Sequence, residues 1–95
     1  MKEEFINASG IALVFTDDGI ICRGNLKSCF YPYGCITKIN YSLGSFLVAG
    51  KREDGDIEAS SFIPSQKEHK KRIKELIDIA KEKMKNSAPD VVSYI

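Results

Sequence analysis

Short apolar segments separated by turn residues occupy much of the first two thirds of the chain. In one of them, the apolar residues Ile39, Tyr41 and Leu43 alternate with the polar residues Lys38, Asn40 and Ser42. Such alternation is typical of a β-strand with one buried and one solvated face. Short apolar runs of this kind recur every ~8–12 residues with turn residues between them. The pattern predicts strands at Ile11–Thr16, Ile20–Arg23, Leu26–Phe30, Ile36–Leu43, Phe46–Gly50 and Ile57–Ile63.

Turn-forming residues separate the predicted strands. The strongest signal is Asp17-Asp18-Gly19, because Asp-Gly between β-forming residues is typical of a type I′ hairpin with positive φ at both central positions. Gly44-Ser45 marks another turn, and the charged stretch 51–56 predicts a loop. Pro32 has no backbone donor, so the segment around it is predicted to be a loop or a sheet edge.

The hydrophobic period changes to that of a helix after residue 64. Residues 65–86 carry one apolar stripe with the i, i+3, i+4, i+7 spacing of an amphipathic helix. Ser65 and Glu68 have the spacing of a capping box, in which each side chain binds a free backbone N–H of the first turn. Such a helix must cover another element, and here we expect it to cover an open end or flank of the β-structure. The stripe consists of Ile73, Leu76, Ile77, Ala80 and Met84.

The length of 95 residues fits a single domain. It excludes a TIM barrel or a complete dinucleotide-binding fold. We predict one domain over residues 1–86 of the α+β class, mainly β. The tail at 87–95 is predicted to be a last strand or the start of a further segment.

Charge is distributed unevenly along a chain whose net charge is only +1. The predicted helix has eight basic and four acidic residues, whereas the remainder has six basic and nine acidic ones. A basic stripe predicts an anionic partner, with a solvated helix face as the alternative. Nucleic acid is disfavoured, because no aromatic residue lies between the lysines. The stripe consists of Lys67, Lys70, Lys74, Lys81 and Lys85.

Cysteine content and the N-terminal sequence predict a cytoplasmic protein with reduced thiols. The chain has three cysteines, no CxxC pair and no secretory signal at its start. Its longest uninterrupted apolar run, Ile11–Phe15, is far shorter than the ~20 residues of a transmembrane helix. No transmembrane segment is therefore predicted.

Cys22, Cys29, Cys35 and His69 are the candidates for metal binding or nucleophilic catalysis. Their side chains are potential zinc ligands, but cysteine spacings of seven and six differ from the short spacing that structural zinc sites prefer. Buried cysteine also behaves as a small apolar residue, and His69 at the edge of the helix stripe is expected to pack with a polar tip. We predict no metal, no cofactor and no enzymatic activity.

An aromatic cluster surrounds Pro32 and consists of Phe30, Tyr31 and Tyr33. Tyrosine is enriched at protein interfaces, so Tyr31 and Tyr33 are candidate partner contacts. The alternative is that the rings close the apolar core.

Three parts of the chain resemble small bacterial members of the pleckstrin-homology-like (PH-like) superfamily. Val14–Ile20 is similar to a Thr-Asp-x-Gly hairpin of that family, and Tyr31–Ile39 is similar to its x-Pro-Tyr-x-x-Ile-x-x-Ile segment. The terminal amphipathic helix is the third part. Together they cover residues ~10–86, although none of these motifs is specific by itself.

The resemblance implies a small barrel, or two orthogonal antiparallel sheets of six to seven strands, closed by the C-terminal helix. It also implies a binding or scaffolding module that contacts a protein partner or a second copy through a sheet edge, the Tyr31–Tyr33 loop or the helix surface. Some bacterial relatives form rings, so a homo-oligomer is expected.

Eukaryotic relatives hold phosphoinositides through a basic loop between their first two strands. The hairpin tip at Asp17–Gly19 is predicted to correspond to that loop, and its two carboxylates would repel phosphate. The family's lipid-binding residues therefore do not carry over. Binding of an anionic lipid surface or nucleic acid by the lysine stripe remains the alternative function.

Overall fold

Eight β-strands and one α-helix make up the protein in the computed structural model, which describes all 95 residues. A short 3-10 helix, Tyr33–Cys35, links the fourth and fifth strands. The elements are β1 Lys2–Ile6, β2 Ala12–Thr16, β3 Gly19–Arg23, β4 Ser28–Pro32, β5 Ile36–Ser42, β6 Ser45–Lys51, β7 Ile57–Phe62, α1 Lys67–Lys85 and β8 Ser93–Tyr94.

The strands form two antiparallel sheets. The first has the order β1-β2-β3-β4-β8, and the second has the order β5-β6-β7. The predicted class, α+β and mainly β with one C-terminal helix, is confirmed. The predicted number of six to seven strands is wrong, because there are eight, and the sheets do not close into a barrel.

The first strand was missed by the hydrophobic pattern. β1 begins with three charged residues, and only Phe5 among its five residues is buried. The Phe5 ring packs edge-to-face on Phe15, with the ring centroids 6.3 Å apart. Glu3 accepts two hydrogen bonds from the Arg72 guanidinium, at 2.7 and 2.8 Å. The strand is therefore stabilised by contacts with distant residues that local alternation does not reveal.

The helix buries the predicted stripe, but it begins without the predicted capping box. Ile73, Leu76, Ile77 and Ala80 are buried, and Met84 packs partly buried against the same core. The N-cap residue is Gln66, and no side chain caps the first turn. Ser65 instead accepts a hydrogen bond from the backbone N–H of Ala8 at 2.8 Å. The Ser65 hydroxyl thus holds the β1–β2 loop against the start of the helix.

The type I′ turn is present in another hairpin than the predicted one. Neither Asp17 nor Asp18 has positive φ, whereas Leu43 and Gly44 have φ values of 53° and 78°. The β2–β3 hairpin is instead closed by Thr16, whose hydroxyl accepts the Gly19 N–H at 3.1 Å. Glycine is required at position 19 by a close approach of backbone, because a Cβ there would lie 2.3 Å from the carbonyl oxygen of Tyr31.

The C-terminal tail packs into the same fold. Val92 is buried in the core, and its N–H donates to the carbonyl of Lys51 at 2.9 Å. β8 begins at the next residue and pairs with β4. The tail therefore connects the end of the second sheet to an edge of the first.

Candidate binding site at the open edge of the second sheet

β7 has a free edge. It pairs with β6 on one side, and no backbone hydrogen bond joins it to a strand on the other. A free edge presents a row of unpaired N–H and C=O groups that can pair with another extended chain.

The register of the sheet identifies the residues whose backbone groups face outward. The type I′ turn makes Ser42 and Ser45 the hydrogen-bonded pair that closes the β5–β6 hairpin. Because backbone direction alternates along a strand, Phe46, Val48 and Gly50 then point toward β7. Their partners Phe62, Ser60 and Glu58 bond inward. It follows that Ile57, Ala59 and Ser61 direct their backbone groups toward the open edge.

A groove runs along this edge, between β7 and the loops of the first sheet. Two hollows of about 210 and 270 Å³ lie side by side and share Ile11 and Ser61 in their linings. Most of the other lining residues are small, so backbone can approach closely. The lining of the two hollows consists of Asn7, Ser9, Ile11, Cys22, Gly24, Lys27, Cys29, Ala59, Ser60, Ser61, Ile63 and Ser65.

Two of the cysteines lie side by side at the floor of the groove. Cys22 of β3 and Cys29 of β4 are direct cross-strand partners, and both are buried. Desolvation raises the pKa of the Cys22 thiol to about 12 and also raises the pKa of Cys29. Because the thiolate is the reactive form, these cysteines are poor nucleophiles and supply apolar surface instead.

A charged cluster closes one end of the groove. Glu58 is 9% exposed, and its carboxylate accepts hydrogen bonds from Lys27 Nζ at 2.8 Å and from the Tyr94 hydroxyl at 2.5 Å. Arg52 Nη1 lies 3.8 Å from the same carboxylate. The cluster connects β7 with the β3–β4 loop and β8.

The environment of Glu58 favours its charged form. Hydrogen bonds from Lys27 and then Tyr94 lower its pKa below the ordinary value of 4.5, against an opposing effect of burial. The same contact with Glu58 raises the pKa of Lys27. The Glu58–Lys27 pair is therefore ionised at neutral pH and connects the two sheets.

Tyr31 and Tyr33 belong to the core. Their exposed fractions are 0% and 2%, and burial raises the pKa of both hydroxyls. The Tyr31 hydroxyl is hydrogen-bonded to Ser60 Oγ at 2.5 Å, and the Tyr33 hydroxyl donates to the carbonyl of Thr16 at 2.6 Å. Neither ring is accessible to a partner, which corrects the interpretation of this loop as a contact surface. Both rings take the alternative role of closing the core.

The lysine stripe lies on the solvent-facing side of α1. Lys67, Lys70, Lys74 and Lys81 are exposed and form no ion pair, whereas Lys85 lies 3.3 Å from Glu82. Lys71 is also exposed and unpaired. The only close aromatic contact of the stripe is Lys74 Nζ, 5.1 Å from the centroid of the Tyr41 ring. The stripe is therefore a separate surface from the β7 groove.

The four candidate metal ligands are not brought together. Cys22 and Cys29 are neighbours, but Cys35 lies in the 3-10 helix and His69 lies on α1. The His69 ring packs edge-to-face on Phe5 at 5.2 Å, and its Nδ1 is buried without a hydrogen-bond partner. No group of three or more His, Cys, Asp or Glu side chains is arranged to hold a metal ion.

The loop between the first two strands differs from the predicted one. Because β1 precedes the strands found from sequence, this loop is Asn7–Ile11 and not the hairpin tip at Asp17–Gly19. It contains no charged residue. A basic loop at this place, of the kind that the resemblance implies for eukaryotic relatives, is absent.

Comparison with family models, with curated proteins and with solved structures finds no match for this chain. No helix combines the length and apolar character needed to cross a bilayer.

Proposed function

We propose that this chain is a non-enzymatic binding module of the PH-like type that accepts an extended segment of a partner protein as an added strand on β7. The observation that carries the proposal is the row of outward-facing backbone groups at Ile57, Ala59 and Ser61 beside a groove. Strand addition draws its affinity from main-chain hydrogen bonds and its specificity from pockets for alternate side chains.

Three features of the edge support strand addition. Ala59 and Ser61 are small, so a second backbone can reach hydrogen-bonding distance without steric conflict. The one charged side chain of β7, Glu58, points inward and is neutralised by Lys27, so it neither blocks nor repels an incoming strand. Exposed Ile57 and Ile63 lie at the two ends of the edge and offer apolar contacts there.

The test is a selection from a library of random 12-residue peptides displayed against the folded chain. Selected peptides are expected to protect the backbone amides of Ala59 and Ser61 from hydrogen exchange, since these donors become paired. Ala59→Pro removes one outward donor without touching the β6–β7 ladder, and we expect it to weaken binding at least fivefold. Ala59→Ser, which keeps the donor, is the matched control and should bind as the wild type does.

Two results would contradict strand addition at β7. One is a set of peptides that bind without protecting Ala59 or Ser61, which would place them on another surface. The other is a wild-type dimer, detected by light scattering, that becomes a monomer in Ala59→Pro. That result would mean that a second copy of the chain occupies the edge.

We propose, as a second candidate function, binding of an anionic surface through the lysine stripe. The absence of ion pairs at Lys67, Lys70, Lys74 and Lys81 favours it, because unpaired lysines are free to contact phosphate. Steep weakening of binding with salt, and its loss in Lys70→Glu with Lys74→Glu, are the expected results. Binding that is insensitive to salt would exclude this candidate.

A further inference from the structure

The tip of the β5–β6 hairpin combines backbone strain with full exposure of an apolar side chain. Leu43 is the one residue other than glycine with positive φ, at 53°, and its exposed fraction is 102%. The left-handed region is unfavourable for a residue with a Cβ, and an aliphatic side chain in water loses the benefit of burial. Folding alone does not account for leucine here, because Asn would suit this φ better.

Two lysine–tyrosine contacts indicate which end of α1 the β5–β6 hairpin tip faces. Lys83 lies 5.9 Å from the Tyr33 ring, just before β5, and Lys74 lies 5.1 Å from the Tyr41 ring near its end. β5 therefore runs antiparallel to the helix. Leu43 is two residues beyond Tyr41, and two residues of a β-strand span ~6.6 Å. This length is close to the ~5.4 Å rise of one helical turn. Extended in this direction, the strand carries Leu43 toward the end of the helix that contains Lys70.

The charges around the tip are almost all positive. Lys67, Lys70, Lys71 and Lys74 are exposed in this part of the helix, and none of them forms an ion pair. Two acids border this group on the flank of Arg72: at 100° per residue, Glu75 is about 40° from Lys71 and about 60° from Arg72, which binds it at 3.5 Å, and Glu68 is about 60° from Lys71. Asp78 lies one turn beyond Lys74, on the side away from the tip.

We propose that this tip docks on an anionic lipid bilayer, with Leu43 inserted at the headgroup boundary and the lysines on lipid phosphates. This inference rests on the second candidate function and adds to it an insertion point and a lipid partner. A bilayer fits both parts of the surface, because it takes up an aliphatic side chain and attracts basic residues at once. A nucleic acid fits only the lysines, since the tip has no aromatic ring for stacking on bases.

The test is co-sedimentation of the full chain with large unilamellar vesicles of phosphatidylcholine, with and without 30% phosphatidylserine. Wild type is expected to bind only the anionic vesicles and to bind less at higher salt. Leu43→Asn should weaken partitioning about tenfold, because it removes the inserting side chain while it relieves the positive φ. Replacing Lys70 and Lys74 by Gln should weaken partitioning about fivefold for each lysine.

A fluorescent variant tests insertion directly. The chain contains no Trp, so Leu43→Trp introduces a single reporter at the tip. Its emission should shift to shorter wavelength with anionic vesicles and stay unchanged with phosphatidylcholine alone. Leu26→Asn is the control for loss of an exposed leucine, since Leu26 is 99% exposed on another loop, and it should partition as the wild type does.

The outcomes separate this proposal from the function on which it rests. Equal partitioning of wild type and Leu43→Asn, with loss on lysine replacement, overturns insertion and leaves the lysine stripe as an anion-binding face. No binding of wild type to anionic vesicles at low salt overturns lipid binding altogether. Tighter binding to a duplex DNA probe than to vesicles, unchanged in Leu43→Asn, overturns the lipid in favour of nucleic acid.

Discussion

The two borders between the sheets are closed in different ways. At one border, helix α1 contacts both β1 and β5 and packs four buried side chains, Ile73, Leu76, Ile77 and Ala80, into the core. At the border of β4 and β7, a short tail contributes buried Val92 and a two-residue strand, and the contact is completed by Glu58 with Lys27 and Tyr94. The first closure is apolar and continuous, whereas the second is largely polar and leaves a groove.

The difference separates stability from binding. Burial of apolar side chains is the main stabilising contribution in a small domain, and here the helix supplies it at one border. The other border needs only a few polar contacts, so its backbone edge can stay unpaired. Regions with few buried apolar contacts are where ligand-binding segments are usually found. We therefore expect large stability effects at the helix border and smaller ones at the tail border.

Ile73→Ala should have the largest effect. Ile73 is fully buried, and truncation of such a side chain typically costs about 2–5 kcal/mol through lost transfer energy and a residual cavity. Urea unfolding followed by circular dichroism measures the loss. Ile79→Ala, at a 40% exposed position of the same helix, should change the free energy of unfolding by less than ~0.5 kcal/mol. Similar losses of unfolding free energy in both variants would contradict the role of α1 as the apolar closure of this border.

Glu58→Gln should have the next largest effect, at the tail border. It replaces a buried carboxylate that accepts charge-assisted hydrogen bonds, which typically contribute about 1.5–3 kcal/mol. Amide exchange at Tyr94 and Ile95 should accelerate in this variant, because β8 loses its side-chain anchor. Glu53→Gln, in the neighbouring loop and without an ion pair, is the control. A larger loss in Glu58→Gln than in Ile73→Ala would reverse the comparison between the borders.

Acid should weaken the tail border through the same group. The pKa of Glu58 in the folded chain lies below its ordinary value of 4.5, so the folded state favours the ionised form. Its contribution to stability is present above about pH 4.5 and is lost as the pH falls through the lowered pKa. Wild type should therefore lose more stability than Glu58→Gln between pH 5 and pH 3, measured by urea unfolding. If the free energy of unfolding depended on pH in the same way in both proteins, the charge of Glu58 would not stabilise the tail.

The parts of the fold that were predictable are those that local pattern determines. In α1 and in β5, the spacing of apolar residues along the sequence is enough to identify the buried face. β1 was missed because its partners are distant: Phe5 packs on Phe15, and Glu3 binds Arg72, 69 residues away. The capping box failed for the same reason, since Ser65 binds the loop at Ala8.

The binding surfaces were predictable in part. Exposure of the lysine stripe follows from the helical period, which places it away from the apolar stripe. The Tyr31 and Tyr33 rings could not be assigned, because aromatic residues beside a proline serve equally well in a core or on a surface. The β7 edge left no signal, because its unpaired groups belong to the backbone and its side chains are as ordinary as Ala59 and Ser61. Only the strand order shows which edge is free.

The smallest expected change in stability concerns the tip of the β5–β6 hairpin, near the border that α1 closes. Leu43→Asn should raise the free energy of unfolding by about 0.5–1 kcal/mol, because Asn adopts positive φ at lower cost than leucine does. Urea unfolding is the measurement, and Leu26→Asn, where φ is not positive, should bring no gain. A gain of stability in Leu43→Asn would show that the backbone at the hairpin tip is strained although the neighbouring border is the more stable one. Such strain is consistent with a leucine that serves binding. No gain would mean that leucine is accommodated without strain, and the case for a special role of the tip would then rest on its exposure alone.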